Sequence, residues 1–491
     1  MSVGNYIWCL SSPLEKNIEK PSGSVYCISD KQNTPRRCRM ATANTIFKDI
    51  LGVKGIIVET CETYTDSNKV VHLRIRAKVT ANERNRCPVC GRKCKGYDAP
   101  HSRKVWRALD CGGIVTEIES ENHRIECPKH GVLTAAVPWA YHGSSFTKSF
   151  ERTVAWLSKE ISRSAIAELM RIDWATVGRC ISRVKNDLEP NPAGRLDGLV
   201  NIGIDETSYK KGHRYITVVV NHDTNTVVWV HEGHGKAVLE KLFRSMSEEQ
   251  RASVQVVTGD GARWITDCTE EYLPNAERCV DAFHVVEWIN EALDQVRIAA
   301  WREAQATAKD REKSSKKSPG RPRKDDTDAA NLKEARQKAS AIKGAMYALG
   351  KNPENLTDNQ KEQLELVTAI DNKLCRGYAR KEQLRLILHM KNEQEAQRAL
   401  KKWVWWASHS RMPAFIELGK KIRRHFQHIL NTLRLGMSNA RIESTNNKIK
   451  LIIRRAYGFR NIHNMMDMVM LICSNLHIPL PNRPPEQLEA A

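Results

Sequence analysis

The stretch 199–284 constrains this chain more than any other part. It opens on an apolar run, Leu199-Val200-Asn201-Ile202-Gly203-Ile204, that delivers Asp205 at its end. A second run, Ser253-Val254-Gln255-Val256-Val257-Thr258, delivers Gly259-Asp260-Gly261. Both are short, rich in β-branched residues and bounded by small ones, which predicts two buried strands. In an open α/β sheet, groups at the carboxyl ends of neighbouring strands project into one crevice. Two carboxylates meeting there repel unless a cation lies between them, and a divalent ion is the usual answer. Either Asp could instead cap the element that follows it; a third acid shifts the balance.

That acid lies far downstream, in Asn439-Ala440-Arg441-Ile442-Glu443-Ser444-Thr445-Asn446-Asn447-Lys448-Ile449-Lys450, which predicts a helix. Spacings of three and four residues align Asn439, Glu443, Asn446, Asn447 and Lys450 on one face. Ile442, Ile449, Ile452 and Ile453 form the apolar face behind. A purely structural helix seldom spends a whole face on Asn, Glu and Lys. Two strand-end aspartates and one helix glutamate can hold two Mg²⁺ (or Mn²⁺) ions and clamp the oxygens of an in-line phosphoryl displacement. The predicted catalytic and magnesium-binding set is Asp205, Asp260 and Glu443.

Bulk properties set the surroundings. A chain of 491 residues exceeds one hydrophobic core and predicts several domains. No apolar run approaches the roughly 18 residues of a membrane span, and no basic segment leads into an apolar one as in a signal peptide. The formal net charge of +21 points to nucleic acid as partner. An anionic membrane surface is the rival, but no strongly amphipathic basic helix supports it. Fourteen cysteines in so long a chain make no disulfide scaffold; those with recognisable spacing read as metal ligands in a reducing cytosol.

Taken in order, residues 1–39 are polar and irregular, predicting a disordered leader before a working start near Met40. Residues 40–140 predict a β-rich zinc module. Cys87-Pro88-Val89-Cys90-Gly91 and Cys127-Pro128-Lys129-His130-Gly131 are two knuckles with the same two-residue gap. Cys87, Cys90, Cys127 and His130 together suit a closed, tetrahedral structural Zn²⁺ site. Cys94 and Cys111 compete for a place but belong to no such knuckle. Residues 141–190 predict a helix-turn-helix whose second helix offers Thr176, Arg179, Ser182, Arg183 and Lys185 to phosphates and base edges. An ordinary helical pair on a core is the plainer alternative. Pro190, Pro192 and Gly194 then mark a linker.

Residues 197–300 predict three strands, a helix, a strand, a helix and a strand, the order of an RNase H-like sheet. Asp281 and His284 close the last strand as auxiliary site residues, or as an N-cap and a satisfied His. Residues 301–435 predict a helical insertion with a flexible basic loop at 309–328. Gly320-Arg321-Pro322 within it is similar to an AT-hook, with Arg321 and Arg323 suited to a narrow minor groove; a solvated linker is the alternative. Trp403, Trp405 and Trp406 predict helical core rather than base stacking. Residues 436–480 carry the Glu443 helix and a final helix, and 481–491 a disordered tail. The fold class is multidomain α/β: an RNase H-like core with a large helical insertion, preceded by the zinc module and the helix-turn-helix.

These pieces together resemble a DDE transposase of the ISL-three insertion-sequence family. The resemblance rests on Ile202-Gly203-Ile204-Asp205-Glu206 with Gly212-His213-Arg214-Tyr215, on Gly259-Asp260-Gly261, on Val280-Asp281-Ala282-Phe283-His284, and on Glu443 within its helix. Lys450 follows Glu443 as a basic residue does in many such enzymes. The second knuckle, Cys127 and His130, departs from the two cysteines that many relatives carry. The resemblance implies that Asp205, Asp260 and Glu443 bind Mg²⁺, that Lys450 and Arg441 hold phosphates near the scissile bond, and that strands are cut and joined without a covalent protein–DNA link. It further implies a cytoplasmic, nucleoid-associated bacterial protein that binds terminal inverted repeats and target DNA, at least as a dimer. A non-catalytic zinc and helix-turn-helix regulator, and a nuclease without strand transfer, are the rival readings.

Overall fold

The structure is a computed structural model that describes residues 43–98, 102–315, 327–437, 439–481 and 483. Arg321, Arg323, the expected leader and most of the expected tail lie outside the described residues.

The N-terminal part begins with α1 (Ala43–Leu51) and builds two small sheets. β1 (Ile56–Thr65), β2 (Val71–Val79), β4 (Ser102–Arg107) and β5 (Val115–Asn122) form one, ordered β1-β2-β5-β4. β3 (Lys95–Gly96), β6 (Arg124–Cys127) and β7 (Gly131–Thr134) form the other. Alternation along β2 buries Leu73, Ile75 and Ala77. They share a core with Ile118, Trp106 and Trp139, the two indoles edge-on at 5.5 Å.

α2 (Lys148–Leu157), α3 (Arg163–Met170) and α4 (Trp174–Leu188) follow. Thr147 caps α2 by accepting from the Phe150 N–H, and Ser162 caps α3 by accepting from the Ala165 N–H. Arg171, at φ 53°, ends α3 in the left-handed region and turns the chain into α4. The expected linker is docked instead. Pro192–Leu196 is a 3-10 turn, and Arg195 donates Nη1 to the carbonyls of Val227 and Ser474.

The central sheet contains β8 (Asn201–Lys210), β9 (Arg214–Asn221), β10 (Thr226–Glu232), β11 (Val256–Gly259) and β12 (Glu277–Val280), in the order β10-β9-β8-β11-β12. β8 pairs antiparallel with β9 and parallel with β11; β9–β10 is antiparallel and β11–β12 parallel. α5 (Lys236–Ser245), α6 (Glu248–Ser253) and α7 (Arg263–Tyr272) lie between the later strands. This mixed α/β arrangement is consistent with an RNase H-like core.

α8 (Ala282–Ser315) leaves β12 and opens the helical insertion: α9 (Thr327–Gly344), α10 (Met346–Gly350), α11 (Asp358–Ile370), α12 (Asn372–Ile387), α13 (Glu393–Ser408), α14 (Pro413–Arg424) and α15 (Phe426–Leu435). Both ends of the expected loop at 309–328 are helical, and 316–326 lie outside the described residues. Residues 309–315 continue α8 and α9 begins at Thr327, because Lys, Arg and Glu are good helix formers and the first Pro comes only at Pro319. Trp403 is buried and donates Nε1 to the Arg380 carbonyl at 2.9 Å, as core. Trp405 instead is largely exposed and stacks on His409.

α15 fastens the insertion to the sheet edge: Asn431 donates to the Arg278 carbonyl at 3.1 Å and Thr432 to that of Val280 at 2.8 Å. α16 (Ala440–Arg455) then crosses β8, and α17 (Ile462–Cys473) packs on β10 and α4. One apolar cluster joins α2, α3 and α4 to β9, β10, α16 and α17. The helix-turn-helix and the sheet therefore share a core.

Candidate active site and metal centre

The crevice is made by strands of unequal length. Parallel pairing of β8 with β11 stops at Gly203 and Thr258, whereas antiparallel pairing with β9 runs on to Lys210. Asp205 thus sits within β8, opposite Val218, and not at a strand end as expected. The hairpin keeps β8 extended, so its acid stands beyond the carboxyl end of β11. Asp260 follows the last residue of β11, its Oδ1 accepting from the Ala262 N–H at 3.0 Å. Gly259 allows the close approach: a Cβ there would stand 2.9 Å from the Ile204 carbonyl oxygen.

Asp205 is engaged on both oxygens. Oδ1 accepts from the Glu206 N–H at 2.8 Å and Oδ2 from Asn446 Nδ2 at 2.6 Å. Burial pushes its carboxyl above the ordinary range. The Glu206 N–H, the His284 charge and Asn446 pull it down, while the Asp260 charge pushes it up, so Asp205, Asp260 and His284 face one another electrostatically. His284 Nδ1 also lies 3.2 Å from Glu287 Oε2.

Asp281 is buried and accepts the Asn439 N–H on Oδ1 at 3.4 Å. It holds the start of α16, and its carbonyl accepts from the Val285 N–H in the first turn of α8. Glu443 is exposed, on the stripe between Asn439 and Asn446. It therefore rides on a helix anchored at one side to Asp281 and at the other to Asp205. Among the described residues, Asp205, Asp260 and Glu443 are not gathered with all their ligand atoms within 4.8 Å of one another. Ile442, Ile449 and Ile452 are buried behind this face. Lys450 is exposed further along it, and Arg441, also exposed, donates to the His222 carbonyl.

Three further groups escaped the sequence reading. Glu206 is half-buried, 3.9 Å from His234 Nδ1, and its carboxyl is pushed up by burial and by Asp260 and Asp205. Arg278 is fully buried and bonds the carbonyls of Val257, Cys279 and Asp260; burial lowers it to about 10. Lys421 comes from the insertion and lies 3.9 Å from the Trp288 ring centroid. Burial lowers its pKa, against the pull of Glu291, Asp260 and Glu287. A charged residue in the buried strand 277–280 was a signal for Arg278; no local pattern marks Lys421.

The two knuckles do meet. The ligand atoms of Cys87, Cys90, Cys127 and His130 all lie within 4.8 Å of one another, with Cys87 Sγ–His130 Nδ1 at 3.6 Å, Cys127 Sγ–His130 Nδ1 at 3.5 Å and Cys90 Sγ–Cys127 Sγ at 3.8 Å. A tetrahedron with Zn–S of about 2.3 Å and Zn–N of about 2.05 Å has edges of roughly 3.8 Å between sulfurs and 3.6 Å between sulfur and nitrogen. The fit is close. Cys94 donates to the Arg92 carbonyl and packs beside Cys87 and Cys127 without joining the set, and Cys111 sits in a separate turn with Ile114.

The expected DNA face of α4 is largely a packing face. Thr176 is buried and accepts from Arg179 Nη2 at 2.8 Å. Arg183 donates Nε at 2.7 Å to Glu151, which is fully buried and needs a cation. Ser182 bonds Asp467, and Lys185 lies 4.0 Å from Glu189. Of the residues assigned to DNA on this helix, Arg179 alone is exposed.

A mixed sheet crossed by α16 and sharing a core with a helix-turn-helix suits a DNA-processing protein, and similarity to known proteins places it in the transposase class. A family model described as a transposase matches residues 202–469, and one described as the helix-turn-helix domain of transposase family ISL3 matches residues 135–184. The transposase for insertion sequence element IS1557 of Mycobacterium tuberculosis is 41% identical over 444 residues, 89% of this chain and 97% of its own length. The transposase for IS1001 of Bordetella parapertussis is 23% identical over 422 residues, 85% of this chain and 95% of its own. The chain belongs to the ISL3 family of transposases. No helix among the described residues is long and apolar enough to cross a membrane.

Proposed function

We propose that this transposase binds the terminal inverted repeats of its insertion sequence, cleaves their ends and joins them to target DNA by phosphoryl transfer at Asp205, Asp260 and Glu443. The observation that carries the reading is the contact of Asn446 with Asp205. It sets the helix one turn after Glu443 against the crevice that Asp205 and Asp260 share. The donor set is hard oxygen, which suits Mg²⁺ or Mn²⁺, and the mutual repulsion of Asp205 and Asp260 is what a cation would relieve. When bound, two such ions supply charge for the attacking and leaving oxygens of the displacement.

The protein's own groups do the rest. Arg278 fixes the Asp260 backbone, Asp281 holds the start of α16, and Lys450 extends from it toward phosphates. His284 faces Asp205, where it can touch a phosphate oxygen. Arg179 contacts DNA from α4, and Arg321 and Arg323 follow a minor groove. Cys87, Cys90, Cys127 and His130 would hold a structural Zn²⁺ that staples the N-terminal sheets. Two ends must be paired, so the working form is a dimer or larger on DNA, acting in the cytoplasm.

Asp205→Asn tests the reading. It should abolish cleavage of labelled terminal repeats while leaving their binding intact; persisting cleavage sinks the triad. Joined products with a target plasmid separate a transposase from a nuclease, and no cleavage by the unaltered protein under any divalent metal would favour a regulator.

A further inference from the structure

Helix α16 and the residue just before it bury two amides whose polar atoms are only partly met. Asn439 and Asn446 stand four residues before and three after Glu443, on its face. Their exposures are 5% and 6%. Asn446 gives Nδ2 to Asp205, yet its Oδ1 is buried without a hydrogen-bond partner, as are both Oδ1 and Nδ2 of Asn439. An unmet buried polar atom is costly, and native interiors meet nearly all of theirs with protein, water or an ion. Helix capping does not account for Asn439, whose side chain makes no cap bond.

We propose that Asn446 completes the cation site of Asp205: Nδ2 holds Asp205 Oδ2 in place, and Oδ1 offers the divalent ion a neutral oxygen ligand. This rests on the reading of Asp205 and Asp260 as a cation site. An amide suits the position better than another acid. A carboxylate so close to Asp205 would add like-charge repulsion and remove the donor, whereas carbonyl oxygen serves hard ions such as Mg²⁺ and Mn²⁺ without adding charge.

The test is Mn²⁺ binding to the full chain, followed by electron paramagnetic resonance and calorimetry. Asn446→Leu keeps the size and loses the oxygen; it should weaken Mn²⁺ by about 10- to 100-fold, the range for groups that support metal ligands. Asn446→Asp loses the donor but keeps an oxygen whose added charge the ion itself offsets, so it should retain Mn²⁺; a folded Asn446→Asp that loses Mn²⁺ as Asn446→Leu does would overturn the ligand role of this oxygen. Circular dichroism and retained terminal-repeat binding certify each fold, and Asn446→Ser replaces the Leu variant should that one not fold. Unchanged Mn²⁺ affinity in Asn446→Leu or Asn446→Ser, with Asp205→Asn abolishing binding, overturns this inference alone. Unchanged affinity in Asp205→Asn as well overturns the cation site itself.

Discussion

Gly203→Ala is a one-methyl change that should reach the active site through a helix. A Cβ at 203 would stand 2.9 Å from Ile442 Cγ1 and 2.6 Å from His222 Nε2, and nearer still to Ile442 Cδ1. Non-bonded carbon pairs sit at about 3.5–4.0 Å, so α16 must withdraw by roughly 1 Å or Ile442 must find another rotamer. Neither neighbour has room: both are buried, and His222 is tied to Thr258 at 2.7 Å. Overpacking of this kind costs about 1–3 kcal/mol of stability. Ile442 precedes Glu443, so the displacement is passed to the proposed third acid, and a shift of about 1 Å at a catalytic group can cost about 100-fold in rate. The assay is cleavage of labelled terminal repeats at saturating Mg²⁺, with thermal unfolding alongside. Ile442→Val removes Cδ1, the nearest of the three contacts, and leaves Cγ1 and His222 Nε2, so the double variant should recover part of the loss. Wild-type cleavage by Gly203→Ala, or no recovery in the double variant, would refute the argument that α16 is seated on Gly203 to place Glu443.

Three other outcomes are expected. Cys127→Ser should release close to one zinc per chain on colorimetric titration and unfold the N-terminal sheets; full zinc content in the variant would remove Cys127 from the ligand set. His222 is buried and held neutral, its pKa lowered to about 4 by burial and then by Arg441. The unfolded chain binds the proton first, so stability is lost as pH falls from about 6.5 to about 4, by at most about 3 kcal/mol. A urea midpoint that falls equally in His222→Gln over that window would discount it. Arg183→Met leaves Glu151 buried without its cation and should cost about 3–5 kcal/mol, whereas Glu151→Gln with Arg183→Met should restore both folding and DNA binding. Persistent loss of binding in that folded double variant would return Arg183 to the DNA face.

The sequence announced the pieces whose signals are local. Two apolar runs ending on Asp, two knuckles with equal gaps, and a helix with a polar stripe each carry their message within a dozen residues. The sheet order and the tetrahedral spacing of Cys87, Cys90, Cys127 and His130 follow from them. What stayed hidden depends on partners remote in the chain. Thr176, Ser182 and Arg183 look like a DNA-reading face because polar residues at helical spacing are usually solvated. Only the fold reveals that Glu151 and Asp467 claim two of them. Arg441 likewise bonds a remote partner, the His222 carbonyl, while staying exposed.

The same contrast bears on how the two halves of the molecule work together. An insertion that merely interrupted the sheet would need no polar bonds to it, yet Asn431 and Thr432 bond the carbonyls of Arg278 and Val280 on β12. Arg278 in turn bonds the Asp260 carbonyl, and Asp281 at the end of the same strand receives the start of α16. One edge strand therefore links the insertion, Asp260 and the helix of Glu443. Lys421, also from the insertion, is drawn toward the Asp260 charge. The insertion, the Asp260 backbone and the start of α16 are thus coupled through bonds to one strand and the residue that follows it. No pattern in residues 277–281 alone could have conveyed that coupling, because its partners arrive from residues 421–439.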